Sequence, residues 1–211
     1  LLYIGMEYLR TNNLPLAKHF FHGAKALCPH DPAISNELGV VALRQADYHN
    51  AIQFFNNVLE LFQRLPEKAP LKLVCESSVS NLGHTYVKLG EFSKAAHYFQ
   101  LALTIKPNDP STRAALAAVY HVLGGSYLHK AIEYYHMSLA IRPNDSFAAE
   151  MLTRAIKDVL DIDDPFDFPH RTLPYIFDDD RRTSHEDNLH DATMRDASPI
   201  RRVVPLPGDL V

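Results

Sequence analysis

The sequence predicts an all-α fold, a right-handed superhelix of stacked antiparallel helix pairs. Apolar residues recur at helical spacing through residues 1–160, and small and aromatic residues recur in one order with a fixed period. Three identical pairs stand 34 positions apart: Gly5 and Gly39, Ala17 and Ala51, Phe21 and Phe55. One helix pair cannot bury its apolar faces alone, so we expect neighbouring pairs to stack into a solenoid.

The repeated order matches the tetratricopeptide pattern L-G-x2-Y…A-x3-F…P. The third unit shows it with Gly83, Tyr86, Ala95, Phe99, Ala102 and Pro107. The first unit has Gly5, Tyr8, Ala17, Phe21, Ala24 and Pro29, and the fourth has Tyr120, Ala131, Tyr135 and Pro143. Small residues let the two helices approach, the aromatic residues fill the space between pairs, and each proline ends a helix.

Four repeats are predicted at about 1–31, 32–65, 76–109 and 110–145, giving eight helices. Gly39 and Gly83 stand 44 positions apart, ten more than the period, so we expect a longer helix and a longer loop near residues 64–70. The fourth unit has Ala117 at the glycine position. A ninth helix over 146–160 has no partner helix and is predicted to cap the stack.

The composition changes after residue 160. Residues 161–211 contain twelve acids, six bases and six prolines, whereas the whole chain of 211 residues has a net charge of −4. The tail is therefore net −6, and we expect most of it to be irregular and disordered. Because the chain begins with Leu1 inside an amphipathic helix and without Met, we expect it to be a fragment.

The sequence contains no pattern that predicts catalysis, a metal or a cofactor. No HExxH, P-loop, GxGxxG or GxSxG motif occurs, and no histidines and cysteines have zinc spacing. Glu7, Glu37 and Glu91 stand at ordinary exposed helix positions, where solvation is a better interpretation than catalysis. The small net charge predicts neither nucleic acid nor an anionic membrane as a partner. The two cysteines do not form a CxxC motif, which favours an intracellular protein.

Function is therefore expected on the concave face, which the first helix of each pair lines. The residues predicted to face inward are Tyr3, Met6, Arg10, Asn36, Val40, Arg44, Ser80, Asn81, His84, Lys88 and His121. Side-chain amides there could bind the backbone of an extended peptide, although Asn36 and Asn81 could equally cap or solvate helix starts. Arg10, Arg44 and Lys88 recur in the same register and would suit an acidic ligand.

Two stretches go beyond the general pattern. Residues 36–42 read NELGVVA and residues 81–90 read NLGHTYVKLG. Together with the opening LYIGMEY and TNN at 11–13, they resemble the scaffold subunit of the cell-division-cycle-sixteen type in the anaphase-promoting complex, or cyclosome. The likeness runs from about residue 1 to residue 160.

This resemblance implies the C-terminal repeat region of a non-catalytic scaffold in a ubiquitin ligase that controls mitosis, in the nucleus and cytoplasm. It implies that the superhelix encloses the N-terminal segment of a small accessory subunit and contacts other tetratricopeptide subunits. It also implies a homodimer through N-terminal repeats that are absent here.

Two alternatives remain, a peptide-docking co-chaperone and another intracellular scaffold, for example in transport. The co-chaperone clamp needs Lys and Asn in its first repeat, where this chain has apolar Leu2, Tyr3, Met6 and Leu9.

Ser198 begins the sequence SPIR, which fits the pattern preferred by cyclin-dependent kinases. Pro199 disfavours a helix at Ser198, so we expect an extended and accessible phosphorylation site. Phosphate would add charge close to Arg201 and Arg202 and could change how the tail docks.

Overall fold

The computed structural model describes residues 1–64 and 69–160, with the side chains of residues 69–73 excepted. All of these residues belong to one compact unit. The predictions for the tail, including Ser198, lie outside the described residues.

The described part of the chain contains nine α-helices, one short 3-10 helix and no strand, which confirms the all-α tetratricopeptide prediction. The helices are α1 Leu2–Arg10, α2 Leu14–Leu27, α3 Pro32–Arg44, α4 Tyr48–Arg64, α5 Ala69–Lys88, α6 Phe92–Ile105, α7 Pro110–Leu123, α8 Leu128–Ile141 and α9 Ser146–Leu160. The 3-10 helix Gly125–Tyr127 lies between α7 and α8. Consecutive helices pack against each other along the whole series.

Short polar side chains start several helices. The Asp31 carboxylate accepts a hydrogen bond from the Ala33 amide at 2.8 Å, and the Asp109 carboxylate accepts one from Thr112 at 2.8 Å. A proline follows each aspartate at the first helical position, where its missing N–H costs nothing. At the other ends, α2, α6 and α8 each stop two residues before a proline, as predicted.

The core places an aromatic ring against a glycine in each of the first three pairs. A Cβ atom added at Gly39 would lie 2.5 Å from Cε1 of Phe55, and the same holds within 0.1 Å for Gly5 with Phe21 and Gly83 with Phe99. Each ring therefore lies within its own helix pair, and Phe21 and Phe55 also join a core shared with the next first helix. The four second-helix alanines are fully buried, as close helix packing requires: Ala17, Ala51, Ala95 and Ala131.

The insertion between the second and third repeats lengthens two helices. α4 reaches Arg64, and α5 begins at Ala69, ahead of the predicted repeat start at 76. Pro70 lies in the first turn of α5, where a proline is tolerated because no helical hydrogen bond is lost. The expected longer loop is thus mostly replaced by helix on both sides of residues 65–68.

The last helix, α9, packs on α8 and α7 as the predicted cap would. Its buried face consists of Ala148, Met151 and Ala155, whereas Ile156 and Leu160 remain exposed.

Candidate functional site: the face of the first helices

The first helices of neighbouring pairs contact each other directly, α1 with α3 and α3 with α5. A further link joins α5 to α7, because the hydroxyl oxygens of Ser80 and Thr112 lie 3.5 Å apart. We call the surface formed by the first helices the first-helix face. All of the residues that the sequence predicted to face inward lie on these first helices.

Asn36 holds α3 against α5 and does not face a partner. Its side chain is only 7% exposed. Its Oδ1 accepts hydrogen bonds from the Ser78 hydroxyl at 2.8 Å and from the Asn81 amide at 3.3 Å, while its Nδ2 donates to Glu37 at 3.1 Å. The sequence left open whether Asn36 meets a ligand or serves its own helix, and in the structure its hydrogen-bonding groups serve the protein interior.

The richest polar row on this face runs along α5. Ser80, Asn81 and His84 are half-buried, and Lys88 is exposed at the end of the helix. The His84 ring lies edge-on against Phe99, with 4.9 Å between ring centroids. Because Asn36 fixes the Asn81 amide and Phe99 supports His84, these side chains are held in position at the surface.

Glu37 belongs to the same network and was not predicted as a site residue. Burial raises the pKa of its carboxyl, and the hydrogen bond from Asn36 and the charge of Arg44 oppose this only in part. The sequence suggested an exposed, solvated acid, but the structure half-buries the Glu37 side chain.

The basic register is less uniform than the sequence implied. Arg10 forms a salt bridge with Glu7 at 3.0 Å, and a guanidinium nitrogen of Arg44 donates to the carbonyl of Leu9 at 2.9 Å. Arg44 thus ties α3 to the end of α1. Lys88 is exposed, so the recurring positive positions do not form one equivalent set.

Of the apolar residues predicted to face inward, Tyr3 and Met6 lie on α1 and Val40 lies on α3. Tyr3 is 82% exposed and Met6 is also exposed, whereas half-buried Val40 packs against the cores on both sides of α3. The α1 end of the face therefore offers apolar surface, and the α5 row offers hydrogen-bonding groups.

His121 was predicted to face a partner, but the capping helix covers it. It is 5% exposed, and its Nε2 lies 2.9 Å from a carboxylate oxygen of Asp158 on α9. The contact between α7 and α9 explains this difference. Nothing in the sequence of α7 indicated that Asp158 on α9 would pair with His121.

No three metal-ligating side chains come together anywhere in the described ranges 1–64 and 69–160. Of the helices described, none is long and apolar enough to cross a membrane. Cys28 and Cys75 are both free.

Comparison with known proteins gives the family context for this face. A tetratricopeptide-repeat family model matches residues 31–108. Anaphase-promoting complex subunit 6 of Arabidopsis thaliana is 43% identical over 123 residues, covering 58% of this chain and 22% of that protein. The human cell division cycle protein 16 homolog is 34% identical over 124 residues, covering 59% of this chain and 20% of that protein.

Among solved structures, the APC/C hetero-tetramer Cut9-Hcn1 matches with a TM-score of 0.67 and 35% identity. The match covers 74% of this chain and 29% of the other. The chain thus spans about a fifth of the length of the curated relatives named here.

The stacked helix pairs and the family-model match make this chain a tetratricopeptide-repeat solenoid. Its repeats are similar to those of anaphase-promoting complex subunit 6, of the human cell division cycle protein 16 homolog and of Cut9.

Proposed function

We propose that this chain is part of a non-catalytic scaffold subunit of the anaphase-promoting complex. In this role its first-helix face holds the N-terminal segment of a small accessory subunit. The similarity to Cut9, whose crystal structure is a hetero-tetramer with Hcn1, is the observation that supports this most strongly. Contacts with other tetratricopeptide subunits, a dimer formed by regions outside this chain, and a location in the nucleus and cytoplasm belong to the same proposal.

The geometry of the first-helix face suits an extended peptide. Apolar Tyr3 and Met6 could contact side chains of the segment, while Asn81 could bond both N–H and C=O groups of its backbone. Asn36 acts through Asn81 by holding its amide in place. The binding row is therefore Ser80, Asn81, His84 and Lys88 on α5, with Asn36 as a positioning residue.

The proposal is tested by replacing Asn81 and His84 with alanine together and measuring affinity for the Hcn1-type subunit of the same organism by titration calorimetry. Losing two positioned polar contacts should weaken binding by roughly tenfold or more. Asn57→Ala on α4, at an exposed second-helix position, is the matched control and should leave affinity unchanged.

Circular dichroism should show the same helix content in all three proteins. Undiminished affinity in the double variant would remove the α5 row from the site. No binding by the unmodified chain would contradict the proposed partner.

Ser198 remains a predicted phosphorylation site in the same proposal. Mapping phosphopeptides from mitotically arrested cells tests it, and an unmodified Ser198 would contradict it.

A further inference from the structure

The tyrosine position of the repeat is filled differently in the second unit. Tyr8, Tyr86 and Tyr120 hold this position in the other three units. Each lies against the aromatic residue of its own second helix: Tyr8 on Phe20 at 5.4 Å, Tyr86 on Tyr98 at 5.2 Å, and Tyr120 beside Tyr134 at 5.7 Å between centroids. The second unit has Ala42 and Phe54 at the corresponding positions.

A cavity of about 210 Å³ lies beside the Ala42 position. Ala42 and the half-buried ring of Phe54 line it, together with buried Leu38 and Val41. A volume of roughly 150 Å³ is enough to hold benzene. The space next to Phe54, which five polar side chains also line, is therefore large enough for an aromatic ring.

The cavity opens beside a positively charged helix face. Lys18 and His22 form part of its lining, and Lys25 lies one turn further along α2, with its ammonium 4.9 Å from the centre of the Phe54 ring. Burial lowers the pKa of His22, and the charges of Lys18 and Lys25 lower it further. Two ammonium groups therefore set a positive potential on this side of the cavity.

The opposite rim is polar and includes one carboxylate. Asp47 accepts a hydrogen bond from the Asn50 side chain at 2.6 Å, which holds the carboxylate at the start of α4. Gln45 completes this side of the lining. The Asp47 carboxylate interacts electrostatically with Lys18 of α2, and Lys25 is the charge that lies over the Phe54 ring.

We propose that the cavity between α2, α3 and α4 receives an aromatic side chain from an acidic segment of a partner protein. The ring takes the place of the missing tyrosine against Phe54, and acidic neighbours meet Lys18 and Lys25. This site lies between α2, α3 and α4 and is separate from the α5 row of the proposed function.

The test uses the ¹⁵N-labelled chain and two acetylated, amidated pentapeptides. One reads Asp-Glu-Tyr-Glu-Asp, and the other has Ala in place of Tyr. The tyrosine peptide should shift the amide signals of Ala42 and Phe54 and should bind at least about tenfold more tightly than the alanine peptide. Equal affinities, or shifts confined to the first-helix face, would overturn the proposal.

Ala42→Tyr restores the residue found in the other units and should abolish binding of the tyrosine peptide without lowering the melting temperature. Ala26→Tyr, at an exposed position on the same α2, is the matched control and should bind normally. Binding that survives Ala42→Tyr would show that the ring goes elsewhere.

If Ala42→Tyr does not fold, the double variant Lys18→Glu with Lys25→Glu decides. It changes side chains that are not in the core and should weaken binding of the tyrosine peptide by about tenfold or more. Unchanged affinity would show that acidic residues of the peptide do not meet Lys18 and Lys25. The Asn81→Ala variant should bind this peptide normally, so failure of the α5 row leaves this site testable.

Discussion

At the residue scale, close packing explains why the repeat uses glycine in its first helices. In the second pair the ring of Phe55 occupies the space where a side chain on Gly39 would begin. Phe55 is fully buried and cannot move away without disturbing the shared core. Gly39 is thus required because any larger residue would collide with Phe55. Its backbone is ordinary α-helix, which does not itself need a glycine.

Gly39→Ala should therefore destabilise the protein by about 1–3 kcal/mol, because overpacking forces a buried ring to move. Urea unfolding monitored by circular dichroism measures this. Gly23→Ala is the matched control: its added Cβ meets only Leu1 at 3.4 Å, so the higher helix propensity of alanine should stabilise it by about 0.5–1 kcal/mol. Equal effects at both positions would contradict the packing explanation.

The second prediction at the residue scale concerns Glu37 and the pH dependence of the protein's stability. Its folded pKa is raised above the ordinary 4.5, so between the two values the folded state binds more protons than the unfolded state. Stability therefore falls as pH rises through this window, and the cost is complete above it. Glu37→Gln keeps an acceptor for Asn36 and should be more stable than the parent at pH 7.

The advantage of Glu37→Gln should disappear below about pH 3.5, where both states of the parent are protonated. Thermal melts from pH 3 to pH 8 measure the difference. Glu60→Gln, at an exposed position on α4, is the control and should show no such pH dependence. A constant difference at every pH would contradict the desolvation cause.

Residue roles were harder to predict than residue positions. Asn36 and His121 stand at inward register positions, but each is buried by a residue far away in sequence, Ser78 and Asp158. A repeat pattern gives the direction of a side chain within its helix and does not give the neighbour that covers it. The replacement of tyrosine by Ala42 was visible in the sequence, yet only the structure shows the space it leaves.

At the element scale, the sequence predicted the helices well because several of them have their own start or stop signals. Asp31 with Pro32, and Asp109 with Pro110, define helix starts through local chemistry. The exception is α5, where Pro70 indicated a loop and instead lies in the first turn of a longer helix. A proline excludes helix interiors but not helix beginnings, so it could not decide between these two cases.

The docking of α9 gives the element-scale prediction. Asp158 is the α9 residue that hydrogen-bonds to buried His121 on α7. Asp158→Ala should lower stability by about 1 kcal/mol and speed hydrogen exchange of the α9 amides more than those of α3. Lys157→Ala, the exposed neighbour, should change neither quantity. Unchanged exchange in Asp158→Ala would show that apolar contacts alone hold the helix.

At the scale of the whole molecule, two surfaces of the solenoid have different chemistry. The first-helix face has apolar Tyr3 and Met6 at one end and the polar α5 row further along. The α2–α4 side has a cavity that Phe54 lines together with polar side chains, with Lys18 and Lys25 beside it. Such a solenoid suits a scaffold, because separate surfaces can hold separate partners without a catalytic centre.

Hydrogen exchange with mass spectrometry, performed with and without the Hcn1-type subunit, tests the central claim most directly. Binding to the first-helix face should slow exchange in α1, α3 and α5 more than in α2, α4 and α6. Protection confined to the second helices, or no protection at saturating partner, would contradict the account.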